Sequence, residues 1–375
     1  MRKLLLPLAL LATAPLAIAQ NCFDGDLGTR LQSGLGDWFS TIQPIGFAFP
    51  IGATTYTDMY ITDHGFVALS NAGVPGAPTI ATAYTPTVAN LVAGNAKVCA
   101  LYADIVATGG GEVWIKSTAS HCTVTWLNMQ NFGYTTPRYN FQLIMYPNGD
   151  FRTIFGPGVT NVSTFGVPSD NGICGCSPGN NVIAPASVDL STVGATTDDT
   201  TYELWTVPLS FDLQNNTMLF TRIGPGYAYI PMGAPANCGS IANNGTGCNG
   251  LAMSAVYNGG SASTTAVFPS VGNSGLTLRM TGAVVVGLVA FGTSSLPGIP
   301  LAVIGMNGCN AYTNLDIGLF SAGPVVGGQS DFLLAIPPNT ALTGTFLAAQ
   351  GVSVGATPAG LIASGGVNIT IGYGP

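Results

Sequence analysis

Apolar and polar residues along this chain follow a period of two, in short runs, and turn residues separate the runs. From Tyr56 to Ser70 the alternation runs around Gly65. Val113-Trp114-Ile115-Lys116 and Thr123-Val124-Thr125-Trp126-Leu127 are rich in β-branched and aromatic residues and predict strands. Phe141–Tyr146 and Phe151–Phe155 flank Pro147-Asn148-Gly149-Asp150. An Asn-Gly pair between two apolar runs predicts a hairpin, because both residues tolerate positive φ. A second hairpin is expected from Leu209–Leu213 and Met218–Arg222 around Gln214-Asn215-Asn216-Thr217. No segment sustains a 3.6-residue period with helix caps.

Further along, strands are expected at Leu276–Met280, Ala283–Phe291, Leu301–Ile304, Ile317–Phe320, Phe332–Ile336, Gly344–Gln350 and Val367–Ile371. Gly-Gly, Pro-Gly and Asn-Gly turns between them suggest a sandwich. The expected fold class is all-β, with two β-sandwich-like domains. A Gly/Pro/Asn-rich join divides the chain into 20–223, a linker at 224–250, and a C-terminal module at 251–375.

Composition sharpens that division. Only 7% of residues are charged, against about 25% for an average soluble protein. Residues 20–223 hold fourteen acids and six bases, whereas from Gly224 onward the only charged side chains are Arg279, Asp316 and Asp331. So few bases exclude a nucleic-acid footprint and a charged coiled coil.

The chain begins with Arg2-Lys3, an apolar run from Leu4 to Ile18, and Ala17-Ile18-Ala19. This reads as a signal peptide over residues 1–19, cleaved before Gln20, and places the protein outside the cell or at its surface. The run is too short for a membrane anchor. Cys22 lacks the small residues directly before it that lipidation requires. No later apolar run exceeds strand length.

All eight cysteines lie after the leader, and an even number in an exported chain favours disulfides. Cys248 and Cys309 each end a glycine-rich turn in one module and are expected to pair. Cys99 and Cys122 open neighbouring strands and form a second expected pair. A Cys174–Cys176 bridge, which Gly175 permits, would leave Cys22 to join Cys238 across the modules. Two histidines and a single close cysteine pair do not suit a zinc site.

The run Ile45-Gly46-Phe47-Ala48-Phe49, Tyr60-Ile61-Thr62-Asp63-His64-Gly65-Phe66-Val67, Leu101-Tyr102-Ala103-Asp104, Val124-Thr125-Trp126, Asn140–Ile144 and Tyr146–Asp150 resembles the nidogen-like extracellular domain. The resemblance covers about residues 40–156. His64 departs from it, since asparagine is more usual before this glycine. Gly245-Thr246-Gly247-Cys248, Gly305–Cys309, Ala335-Ile336-Pro337, Leu342–Gln350 and Asn368–Gly372 are similar to a C-terminal module that recurs in secreted bacterial proteins. Both resemblances imply all-β extracellular modules without a known catalytic set, and the first implies adhesion or matrix roles.

Candidate chemistry is sparse. His64 and His121 are the only imidazoles, and no Gly-x-Ser-x-Gly elbow is present. On a strand, Asp63 and His64 would face opposite sides of the sheet. Asp104 and Glu112 flank the loop 105–111 and are the carboxylates placed to face one another, as a glycosidase requires. Trp114 and Trp126 would then offer a stacking surface for sugar. Calcium is the one metal that Asp24-Gly25-Asp26 and Asp198-Asp199 suggest, although no twelve-residue loop of alternating ligands is present. The reading is a secreted binding, adhesion or assembly protein whose partner is an extracellular polymer or a cell-surface component, with self-association through the C-terminal module. The alternative is a secreted glycoside or ester hydrolase.

Overall fold

A computed structural model describes residues 22–156, 158–159, 171–208, 210–233, 239–257 and 269–372. The expected leader and its cleavage site lie outside these residues. The fold is all-β, and every strand pair among the described residues is antiparallel.

The first module is two sheets face to face. A nine-stranded sheet runs in the order Thr29–Ser33, Glu112–Ser117, Cys122–Asn131, Arg138–Met145, Phe151–Phe155, Thr217–Ile223, Gly226–Pro231 and Gly194–Ala195, with Ile105–Val106 also paired to Cys122–Asn131. The facing six-stranded sheet is ordered Thr201–Trp205, Gly172–Ser177, Lys97–Ala103, Phe66–Ser70, Thr54–Ile61 and Gln43–Ile51. Between the sheets lie Ile61, Val67, Leu101, Trp126, Phe141, Phe151 and Phe220. Trp126 stacks on Phe141 with ring centroids 5.1 Å apart, and Phe151 stacks on Phe220 at 4.3 Å. The expected hairpin is present: Met145 pairs with Phe151 across Pro147–Asp150.

Lys97–Ala103 and Phe66–Ser70 are buried along their whole length because both faces are covered. On the outer side, two short helices, Ile80–Ala83 and Val88–Val92, lay Ala83 and Leu91 over Phe66, Cys99, Tyr102 and Ile173. Helices of four and five residues are too short to show a period in sequence.

The second module has a five-stranded sheet in the order Gly239–Asn244, Leu361–Ile371, Phe346–Val354, Gly287–Gly292 and Gly318–Ser321. A three-stranded sheet, Ala252–Tyr257, Leu276–Thr281 and Gln329–Leu333, and a ribbon of Ser295–Pro300 with Asn310–Thr313 complete it. Its core includes Leu276, Leu278, Met280, Val289, Val367 and Ile369.

Several sequence expectations change. Residues 210–216 form no strand; Phe211 and Leu213 instead turn into the core, and Thr217–Ile223 makes its hairpin with Gly226–Pro231. Leu301–Ile304 is a 3-10 turn over Ala302–Ile304, with Gly305 at φ 80° ending it. The stretch 224–250 is not a bare linker, since Gly226–Pro231 closes onto the first module and Gly239–Asn244 pairs with Leu361–Ile371 of the second.

Cys248 and Cys309 are bonded, with Cα atoms 5.0 Å apart. Cys99 and Cys122 are not: both are free and buried. Cys99 points to the helix-covered side of its sheet and Cys122 into the core between the sheets, so strand alternation separates them. Cys174 and Cys176 are also free and buried. Cys22 is disulfide-bonded, while its expected partner Cys238 lies outside the described residues.

The segment 22–28 is the joint between the modules. Gln142 receives the Asp24 N–H at 2.7 Å and donates to the Asp24 carbonyl at 2.9 Å. The Asp26 carboxylate accepts from Tyr257 at 2.6 Å and from Ser274 at 3.1 Å, both in the second module. Leu27, Trp114, Leu127 and Tyr257 form one apolar cluster there, with Tyr257 edge-on to Trp114 at 5.6 Å.

Candidate functional site

The carboxylates and tryptophans singled out in the sequence do not form one exposed surface, since Glu112 accepts from Trp114 and both tryptophans are buried. Glu112 is buried, with one oxygen 3.1 Å from Arg30 and the other accepting from Trp114 Nε1 at 3.1 Å. Trp114 and Trp126 are 2% and 0% exposed and face opposite sides of the nine-stranded sheet. Trp126 Nε1 donates to the Thr62 carbonyl at 2.7 Å. Neither ring offers a stacking surface. Asp104 is half-buried and acts on Asp63 instead.

The groups that do converge are Asp37, Asp63, His64 and Asp104. Thr62–Gly65 is a tight turn, not continuous strand, and the Thr62 N–H donates to the Phe66 carbonyl at 3.1 Å. Gly65 has φ 79°, and a Cβ there would lie 2.0 Å from the Leu101 carbonyl, so only glycine fits. The turn is pinned to the next strand, where Leu101 N–H donates to Gly65 and Ala103 N–H to His64. The segment 38–40 runs beside 61–63 and brings Asp37 across: Trp38 N–H donates to Asp63 Oδ1 at 3.0 Å, and Asp63 N–H to the Trp38 carbonyl.

In the turn, Asp63 and His64 therefore lie together rather than on opposite faces. His64 Nε2 is 3.4 Å from Asp63 Oδ1 and 3.4 Å from Asp37 Oδ1. The His64 and Asp63 side chains are fully buried, whereas that of Asp37 is 58% exposed and opens the cluster to solvent. Neither ring nitrogen of His64, nor Asp63 Oδ2, has a well-formed hydrogen bond among the described residues. Burial pushes Asp63 up to about 7, helped by the neighbouring charges of Asp37 and Asp104. Burial lowers His64 to about 4, against the pull of Asp37 and the backbone at Ala103 and Ile105. The signal in the sequence was the Asp63-His64-Gly65 triplet itself, whose glycine marks a turn. Nothing along the chain announces that Asp37 joins it.

Other clusters of polar groups lie away from this turn. Asp24 accepts from Lys116 at 3.1 Å and Thr123 at 3.2 Å, so its carboxylate has partners within the module. His121 Nε2 lies 3.3 Å from Asp24 and its Nδ1 3.0 Å from Ser120 Oγ, a serine–histidine–aspartate sequence of contacts. The backbone N–H groups of Ser120 and His121 both donate to Thr118 Oγ1, which leaves neither to stabilise an oxyanion. Asp189, Glu203 and Asp212 gather their carboxylates within 4.8 Å of one another. Desolvation, opposed by the Leu190 N–H, raises Glu203 to about 7. A groove of about 450 Å³ follows the 147–150 turn, lined by Tyr146, Asn148, Asp150 and Arg152.

Two β-sheets face to face, with a glycine-pinned turn that buries an aspartate and a histidine, define the first module. A family model described as NIDO related matches residues 21–222, more than half of the chain. The chain belongs to that family, and its first module is a nidogen-like domain of the type found in extracellular proteins. No curated protein and no solved structure matches the chain. Among the described residues, no helix is long and apolar enough to cross a membrane.

Proposed function

We propose that this is a secreted, non-enzymatic assembly protein whose C-terminal module makes the contacts between copies. The observation that carries the reading is the strand Gly318–Ser321. It is an edge of the five-stranded sheet, pairs on one side only among the described residues, and exposes Leu319 by 50% and Phe320 by 42%. Natural edges are blunted by lysine, proline or inward charges. This edge has none of these, and charge in its module is nearly spent internally. Arg279 and Asp331 form a two-pronged ion pair at 2.8 and 2.7 Å, and Asp316 is hydrogen-bonded to Thr293. Ile317, Val326 and Leu333 are further exposed apolar residues of the same module. An uncharged edge matches a second copy of itself, because antiparallel pairing about a two-fold axis satisfies both rows of backbone groups.

Light scattering on the purified protein tests this. The expected mass is that of a dimer or larger, unchanged from low to high salt, because little of the contact is ionic. Leu319→Lys, placed on the free edge, is expected to return the protein to a monomer. A wild-type protein that is monomeric at every concentration, or an assembly indifferent to Leu319→Lys, contradicts the proposal.

A further inference from the structure

We propose that Asp63 and His64 are a proton-balanced latch: folding hands the proton of the imidazole to the carboxyl, and the neutral pair keeps the segment 37–40 fastened across the acid range. Both side chains are fully buried, with His64 Nε2 3.4 Å from Asp63 Oδ1. A charged imidazolium–carboxylate pair draws in to about 2.7–2.9 Å, so the wider spacing suits two neutral groups. Asp63 Oδ1 accepts from the Trp38 N–H at 3.0 Å, but Oδ2 has no donor among the described residues. Ionised, the carboxylate would leave charge on a buried oxygen that nothing solvates, and a proton removes that cost.

The surroundings argue the same way. Asp37 comes from the segment before Trp38 and Asp104 from the end of the strand Lys97–Ala103, and both act on Asp63 with negative charge. The Tyr84 ring stands 6.3 Å from the imidazole. Among the described residues the ion-pair contacts of Asp37 and Asp63 go to His64 alone, so neither carboxylate is offset by lysine or arginine. The imidazole also contacts the backbone at Ala103 and Ile105. Burial is the largest influence on both groups, raising Asp63 to about 7 and lowering His64 to about 4. That inverts the ordinary order, about 3.9 for aspartate and about 6.5 for histidine.

Two opposite pH dependences result. The raised carboxyl contributes stability that is complete below about 3.9 and lost as pH rises through its folded value. The lowered imidazole contributes stability that is complete above about 6.5 and lost as pH falls through its own folded value. Between about 4 and 6.5 the folded and unfolded chains each hold one proton in the pair, on Asp63 in one and on His64 in the other, so the slopes cancel. Across that range Trp38 stays seated on the core between the sheets and Phe39 on the helix-covered cluster. The Trp38–Asp63 and Ser40–Ile61 hydrogen bonds hold them there.

The test compares two single variants with the wild type in denaturant melts from about pH 4.5 to about 6.5, with nitrogen NMR of His64 in the wild-type protein. Relative to wild type, the folding constant of His64→Gln is expected to fall about tenfold per pH unit as pH rises. That of Asp63→Asn is expected to rise about tenfold per pH unit over the same range. In the wild type, His64 is expected to be neutral at about pH 5.5. The NMR result decides the matter even where a variant fails to fold. Slopes of the same sign, a slope absent from either variant, or a protonated His64 at about pH 5.5 would each overturn the proposal.

Discussion

The four free cysteines show what burial does to single side chains. Cys99, Cys122, Cys174 and Cys176 are all buried, and desolvation pushes each thiol upward, Cys122 to about 12. A thiol that cannot ionise does not react. Thiol titration of the native protein is expected to find none of the four, and titration in denaturant without reductant to find all of them; rapid native labelling would contradict this. Glu203 makes a second residue-scale prediction. Its carboxyl is raised to about 7 in the fold, so between about 4.5 and 7 the folded state holds a proton that the unfolded chain has lost. Stability should therefore fall as pH rises through that window. Glu203→Gln is expected to flatten that slope in denaturant melts recorded across it; an unchanged slope would show that the carboxylate cluster does not titrate there.

Among the elements, the most legible were those whose signal is local. The Asn148-Gly149 turn and the strands around it follow from two residues that accept positive φ. The Cys248–Cys309 bridge follows from two glycine-rich turns in one module. It closes 61 residues of chain, so the double variant Cys248→Ser/Cys309→Ser is expected to lose roughly 4 kcal/mol in the chain-entropy model. Denaturant melts that place the loss below about 1 kcal/mol would contradict that account. What could not be read was long-range. Glu112 was read only against Asp104 across its own loop, whereas its carboxylate also meets Arg30, a residue 82 positions away. Trp114 reads like a ligand face until Tyr257 of the second module covers it. Asp63 and His64 were read as strand although Gly65 already marked the turn, and the approach of Asp37 depends on a bridge between Phe39 and Thr62 that sequence spacing does not encode.

At the scale of the whole molecule, two modules are joined through segment 22–28, and Tyr257 is its central contact. Burial alone would raise Asp26, but the hydrogen bond from Tyr257, with Lys116, Ser274 and Gly28, brings it below the ordinary carboxylate range. A carboxylate lowered in the folded state adds stability above its unfolded pKa, and that stability is lost as pH falls through the folded value. The joint is therefore expected to weaken below about pH 4. Tyr257→Phe removes the donor to Asp26 and the acceptor for Gly28, which should cost about 1.5–3 kcal/mol and split one thermal transition into two. A single unshifted calorimetric transition would show that the modules are coupled elsewhere. The joint leaves the edge strand Gly318–Ser321 of the second module uncovered, and the assembly reading rests on that edge. Its most direct test is amide hydrogen exchange at Gly318–Ser321 as protein concentration rises. Copies that pair there predict exchange that slows with concentration in this strand and not in the buried strand Lys97–Ala103. Exchange at Gly318–Ser321 that is fast and independent of concentration would contradict the account.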